Sequence, residues 1–164
     1  MALPPEYRLQ ALVTLRERKK EEAERILGVK LAELKQEQQR QKDMEDELER
    51  MIAKREAKMR EYAEKSMKGM MAAQDVVGAN LYIERLKEQE EAQENAIEGQ
   101  KQVVAQKKDE VEEARKGVVL ATQDLKALEK HKEKWMEQVK KEREAREEDV
   151  MDEIAQTIFL GRNK

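Results

Sequence analysis

From Ile83 to Val139 the chain carries seam positions at strictly alternating steps of three and four residues, sustained for about eight heptads. The seam reads Ile83, Leu86, Glu90, Gln93, Ile97, Gln100, Val104, Lys107, Val111, Ala114, Val118, Ala121, Leu125, Leu128, Lys132, Trp135 and Val139, with charge nearly everywhere else. A stripe this narrow has one use, which is burial against another helix. It predicts a long coiled-coil helix, and a coiled coil offers no enclosed pocket. Function must come from what its ends and faces touch.

The rest of the composition agrees. Charged residues make up 43% of the 164, aromatics only 3%, with one Trp, one Phe and two Pro, too little apolar bulk to close a globular core. Disorder is the rival for so polar a chain. It loses because the apolar residues are periodic and good helix formers dominate. The net charge of −3 gives no basic footprint for nucleic acid. The absence of cysteine removes disulfides, thiol chemistry and thiolate metal sites. No apolar run approaches the roughly 20 residues of a membrane span, and the N-terminus lacks a secretory layout. The expectation is a soluble, cytoplasmic protein that does not insert into a membrane.

Pro4 and Pro5 are placed to open a first helix, followed by an apolar face at Leu9, Leu12, Val13 and Leu15. After a drift in the stripe, a second strict seam runs Leu27, Leu31, Leu34, Gln38, Gln41, Glu45, Leu48, Ile52, Arg55, Met59 and Tyr62. Between the two seams, Gly69 and Gly78 flank a stretch without charged periodicity. Gly69 suits a helix C-terminus, and Asp75 or Asn80 a following N-terminus. The predicted fold is all-α: a single antiparallel two-helix coiled-coil hairpin over 1–164, with helices at about 5–68 and 78–159 and a bend at about 69–77. At about 1.5 Å per residue such a hairpin would extend roughly 90 Å.

The two seams can be set against each other. Centring the bend near Ala72 brings Tyr62 to Ile83, Met59 to Leu86, Leu48 to Ile97, Leu34 to Val111 and Leu31 to Ala114. Arg55, the one cation of the first seam, then meets Glu90, the one acid of the second. Gln38, Gln41 and Glu45 face Lys107, Val104 and Gln100, so the middle is poorly specified. Trp135 falls level with Leu9, Leu12 and Val13.

Nothing in the chain organises catalysis or a cofactor. His131 stands alone, read as a solvated residue between Lys130 and Lys132. Exposed helix carboxylates keep ordinary pKa values and lack the burial that a general acid needs. No phosphate loop, nucleophile–base pair or metal spacing occurs. Met67, Met70 and Met71 cluster at the bend, either as a plug or as an adaptable docking surface. Residues 1–30 carry seven bases and five acids and residues 126–146 eight and five, so the segments that the hairpin brings together form a basic collar. Residues 147–153 follow with five acids and no base. Val150, Met151, Ile154, Ile158, Phe159 and Leu160 then form an apolar face that a lone helix cannot bury. It calls for a partner, a dimer mate or the N-terminal helix.

The opening Tyr7-Arg8-Leu9-Gln10-Ala11-Leu12, with Leu15-Arg16-Glu17-Arg18-Lys19 and Glu22-Ala23, resembles the start of the type III secretion stalk proteins. This is the YscO/SctO family, with flagellar FliJ as its counterpart. The segments His131-Lys132-Glu133-Lys134-Trp135-Met136 and Met151-Asp152-Glu153-Ile154-Ala155-Gln156 resemble it too, the former pointing to the injectisome branch. The resemblance implies an antiparallel coiled coil similar to a rotary-ATPase central stalk. It further implies insertion of the termini into the pore of a hexameric secretion ATPase, contact with the cytoplasmic ring of the export gate, and binding of secretion chaperones.

Carried onto this chain, the ATPase-binding residues would be Leu9, Leu12, Arg16, Arg18, Lys19, Lys140, Lys141, Arg143 and Arg146. The export-gate contacts would fall at Met70, Met71, Tyr82 and Leu86. The protein would work as a monomer without a cofactor, at the cytoplasmic side of the inner-membrane secretion apparatus. The alternative is a structural tether acting through dimerisation, and a third reading is a chaperone escort that stimulates no ATPase.

Overall fold

The strict seam forms the helix it predicts. A computed structural model describes residues 6–162 and folds them into two helices, α1 (Gln10–Met67) and α2 (Ala73–Arg162), with no strand among the described residues. The helices pack against each other as a helical hairpin. Every seam position from Ile83 to Val139 is buried or half-buried, including Glu90 and Gln100. Among the described residues no helix is long and apolar enough to cross a membrane.

The bend is short and chemically explicit. Gly69 adopts φ +68°, the left-handed conformation that favours glycine. The Met70 N–H donates to the Lys65 carbonyl at 2.9 Å and the Gly69 N–H to the Ser66 carbonyl at 3.1 Å. These two bonds are the Schellman closure of α1. Three residues on, the Ala72 N–H donates to the Asp75 carboxylate at 3.0 Å, which caps α2 and sets an acid at its positive end. That cap starts α2 at Ala73, five residues before the expected 78, and leaves Gly78 and Asn80 inside the helix. At the other end α1 begins at Gln10 rather than near residue 5, because Tyr7 turns inward to pack and a turn over Tyr7–Leu9 precedes the helix. Pro4 and Pro5 lie outside the described residues.

The chain divides into two units: Met1–Arg25 with Lys116–Lys164, here the terminal unit, and Ile26–Arg115, the bend unit. The core of the terminal unit is Tyr7, Val13, Leu125 and Leu128, with Leu12 and Trp135 packed against it. Trp135 thus joins the core that holds Val13 and Leu12, and its ring lies against Tyr7, with centroids 5.2 Å apart.

In the bend unit α2 uses the expected seam and α1 does not. Leu27, Leu34, Gln41, Leu48, Arg55 and Tyr62 are half-buried as expected. The alternate column, however, is Lys30, Glu37, Met44, Met51 and Lys58, one residue before the expected Leu31, Gln38, Glu45 and Met59, which are exposed, while Ile52 is half-buried beside Met51 as expected. Leu31 and Met59 stay 40% and 42% exposed. The cause is the polar half of the α2 seam, which must satisfy its hydrogen bonds once buried. Gln93 donates to the Met44 carbonyl at 2.9 Å, and Gln100 to the Glu37 carbonyl at 3.0 Å and its carboxylate at 2.6 Å. Lys107 stands 3.3 Å from Glu33, not opposite Gln38. Arg55 and Glu90 do pair, at 2.7 Å, with the Glu90 side chain only 8% exposed. The helices are therefore set about one turn from the level at which the apolar residues alone would match.

Candidate partner-binding surfaces

The terminal unit sorts its predicted contact residues into two groups. Leu12 is spent on the core, and Arg16 is half-buried with its guanidinium donating to the Asp124 carbonyl at 2.9 Å. Both hold the two helices together. Leu9 lies at the surface, 37% exposed, on a cleft it shares with Tyr7, Arg8, His131 and Trp135. Arg18, Lys19, Lys140, Lys141, Arg143 and Arg146 are exposed, and among the described residues none of the six has an ion-pair partner. They keep their full charge available to solvent or to a partner.

Sequence reasoning missed Tyr7 and undervalued His131. The Tyr7 hydroxyl bonds His131 Nδ1, and Lys132 donates to the Gln10 side chain at 2.7 Å. Together they tie the chain before α1 to the flank of α2. The signal was present as two aromatics, Tyr7 and Trp135, but Tyr7 precedes the periodic stripe and has no phase within it. His131 is exposed yet hydrogen-bonded, so it is a fastening and not merely a solvated residue.

Beyond Val139, every described residue of α2 is exposed. The apolar face is on view, with Val150 at 53%, Met151 at 65% and Phe159 at 65% exposure. Of the candidate covers, the described part of the N-terminal segment does not reach it.

In the bend unit Met67 and Met70 are 90% and 70% exposed, while Met71 is half-buried. Met71 lines a hollow of about 250 Å³ together with Met59, Tyr62, Val76, Ala79 and Ile83. The methionines therefore divide, one plugging and two presented. Tyr82 is half-buried, but Leu86 is 7% exposed and packed in the seam, where no partner can reach it without parting the helices.

Further along this unit Lys107 lies between Glu110, at 3.2 Å, and Glu33, and both carboxylates hold its ammonium above the ordinary lysine range, Glu110 first. The hydrogen bond from Lys107 holds the Glu33 carboxyl below its ordinary range, with Lys30 adding to the effect. This cluster braces the hairpin. Among the described residues no group of acids and histidine is placed to hold a metal ion.

A family model described as YscO-like protein matches residues 4–164. Among solved structures, a protein described as a YscO homologue from Chlamydia trachomatis is similar over 98% of this chain and 99% of its own, with a TM-score of 0.82 and 23% identity. At that identity the likeness concerns the fold. No curated protein matches the chain.

Proposed function

The chain belongs to the YscO-like family of type III secretion stalk-like proteins, and on that premise we propose that it is the non-enzymatic central stalk linking a hexameric secretion ATPase to the export gate. The single observation that carries this reading is the surface of the terminal unit. Six exposed cations, without ion-pair partners among the described residues, stand beside a packed apolar core. Charges held ready in this way steer association and are sensitive to salt.

In this reading Arg18, Lys19, Lys140, Lys141, Arg143 and Arg146, with Leu9, meet the ATPase pore. Leu12 and Arg16 keep that surface in shape from within. The gate contact falls on Met70 and the rim of Tyr82, with Met71 and Leu86 supporting them from the packed side. The protein works in the cytoplasm, peripheral to the inner-membrane apparatus, and accompanies secretion chaperones there. Adding it to the purified cognate ATPase is expected to raise ATP turnover or hexamer formation at low salt. Absence of both effects would sink the stalk reading.

A second reading, a tether acting through dimerisation, is favoured by the exposed apolar face from Val150 to Leu160. Sedimentation separates the two, since the stalk is an elongated monomer and the tether a stable dimer. Chaperone binding without any ATPase stimulation would instead mark an escort.

A further inference from the structure

The bend unit occupies one of two heptad-compatible registers, and by apolar content it is the poorer one. The contacts of Gln93 with Met44, Gln100 with Glu37, Lys107 with Glu33 and Arg55 with Glu90 bracket a register in which the buried columns of the two helices align with Met44 level with Ile97 and Lys30 level with Val111. Moving α2 by half a heptad, about 6 Å along the axis, keeps the column of Leu34, Leu48 and Arg55 in the seam. It also exchanges Lys30 and Lys58 for Leu31 and Met59, while Ile52, half-buried already beside Met51, stays in the seam. Apolar layers then form at Tyr62–Ile83, Met59–Leu86 and Leu31–Ala114. We propose that the hairpin slides between these two registers, and that the polar contacts of the first are the catch that holds it.

Four observations converge on this. Leu31 and Met59, the residues the second register would bury, are exposed while Lys30 and Lys58 are half-buried. Met59, Tyr62 and Ile83 already border the hollow of about 250 Å³ into which they would close. Arg55 and Glu90 are paired across a turn now and would be level after the slide, so the one buried charge pair survives the change. Gln100 would exchange Glu37 for Glu45, and Lys107 would exchange Glu33 for Gln38, so neither loses every partner.

The bend supplies the slack. The second register centres it near Ala72, which unwinding the first turn of α2 from Ala73 up to Gly78 accommodates. Gly78 has nothing within 4 Å of its missing side chain, and glycine inside a helix favours melting. Within the bend unit no described side chain is completely buried, and Leu86, Ile97, Val104 and Val111 stay in the seam in both registers, whereas the terminal core of Tyr7, Val13, Leu125 and Leu128 has to repack with the slide. What opposes it in the bend unit is electrostatic, namely Glu33 and Glu110 around Lys107 and Lys30.

The chain has no cysteine, so engineered pairs report cleanly. Met44→Cys with Ile97→Cys closes a disulfide in the first register, and Met59→Cys with Leu86→Cys in the second, because bridging needs Cβ atoms within about 4.5 Å. Under mild oxidant the first pair is expected to close fast and the second on the order of tenfold more slowly, but to completion. Adding Glu33→Gln and Glu110→Gln, or raising salt to about 1 M, is expected to speed the second pair severalfold, with helicity by circular dichroism unchanged. The proposal is overturned if the second pair stays open in the Glu33→Gln, Glu110→Gln background while the first closes. It is equally overturned if neither pair closes, or if removing those two carboxylates leaves the rate of the second unchanged.

Discussion

The terminal unit gathers its buried residues into one apolar cluster, whereas the bend unit interleaves its buried apolar residues with hydrogen bonds and ion pairs across a polar seam. Tyr7, Val13, Leu125, Leu128 and Trp135 gain from contact in almost any relative orientation. Gln93, Gln100, Arg55 and Lys107 gain only where a carbonyl or carboxylate stands at the correct level. The first kind of contact supplies stability, and the second supplies register.

The sharpest way to break that contrast is Leu125→Ala, which truncates a side chain only 7% exposed in the apolar core. It is expected to cost about 2–4 kcal/mol, read from urea unfolding by circular dichroism. Arg55→Ala leaves the Glu90 carboxylate buried without its cation and is expected to cost about 2 kcal/mol, less than a fully buried pair because Arg55 is partly solvated. If the bend unit is a matter of register, Arg55→Met with Glu90→Leu should recover most of that loss. Gly69→Ala forces a side chain into the left-handed region and should cost about 1 kcal/mol.

Acid sharpens the contrast without a mutation. The Glu33 carboxyl is depressed in the folded hairpin, so its contribution is full above the ordinary carboxylate range and is lost as pH falls through the lowered value. Unfolding followed at pH 7 and pH 3 should show a decline that Glu33→Gln reduces, the remainder including Glu61, which Lys58 and Lys65 also hold below its ordinary range. Ile158→Ser changes a residue 54% exposed, and should shift the unfolding midpoint by no more than about 0.5 kcal/mol in free energy while weakening any self-association.

The α2 seam was legible in full because apolar residues recur often enough to fix its phase through Glu90, Gln100 and Lys107. On α1 the first column was legible, and the second was legible only at Ile52. Leu31 and Met59 are more apolar than the lysines before them, so hydrophobic periodicity selected them. The occupied column depends on which α1 carbonyls and carboxylates Gln93, Gln100 and Lys107 reach, which is a three-dimensional question. Leu86 and Leu12 both satisfy the composition of a contact site, yet both are packed between the helices. Helix α2 started early because Asp75 caps from inside the first turn, a role its sequence position allowed but did not distinguish from a cap further on.

The described stretch of α2 beyond Val139 is exposed throughout, held by its own backbone and by local side-chain bonds such as that from Thr157 to the Glu153 carbonyl. Its order is then a local helix–coil equilibrium, strengthened by length and by continuity with the packed helix before it. Amide hydrogens should exchange fastest near Arg162 and progressively more slowly toward Val139, and warming should melt the segment gradually, ahead of the cooperative transition. A binding event on the face of Val150 and Ile154 would then register first as a slowing of exchange in this segment.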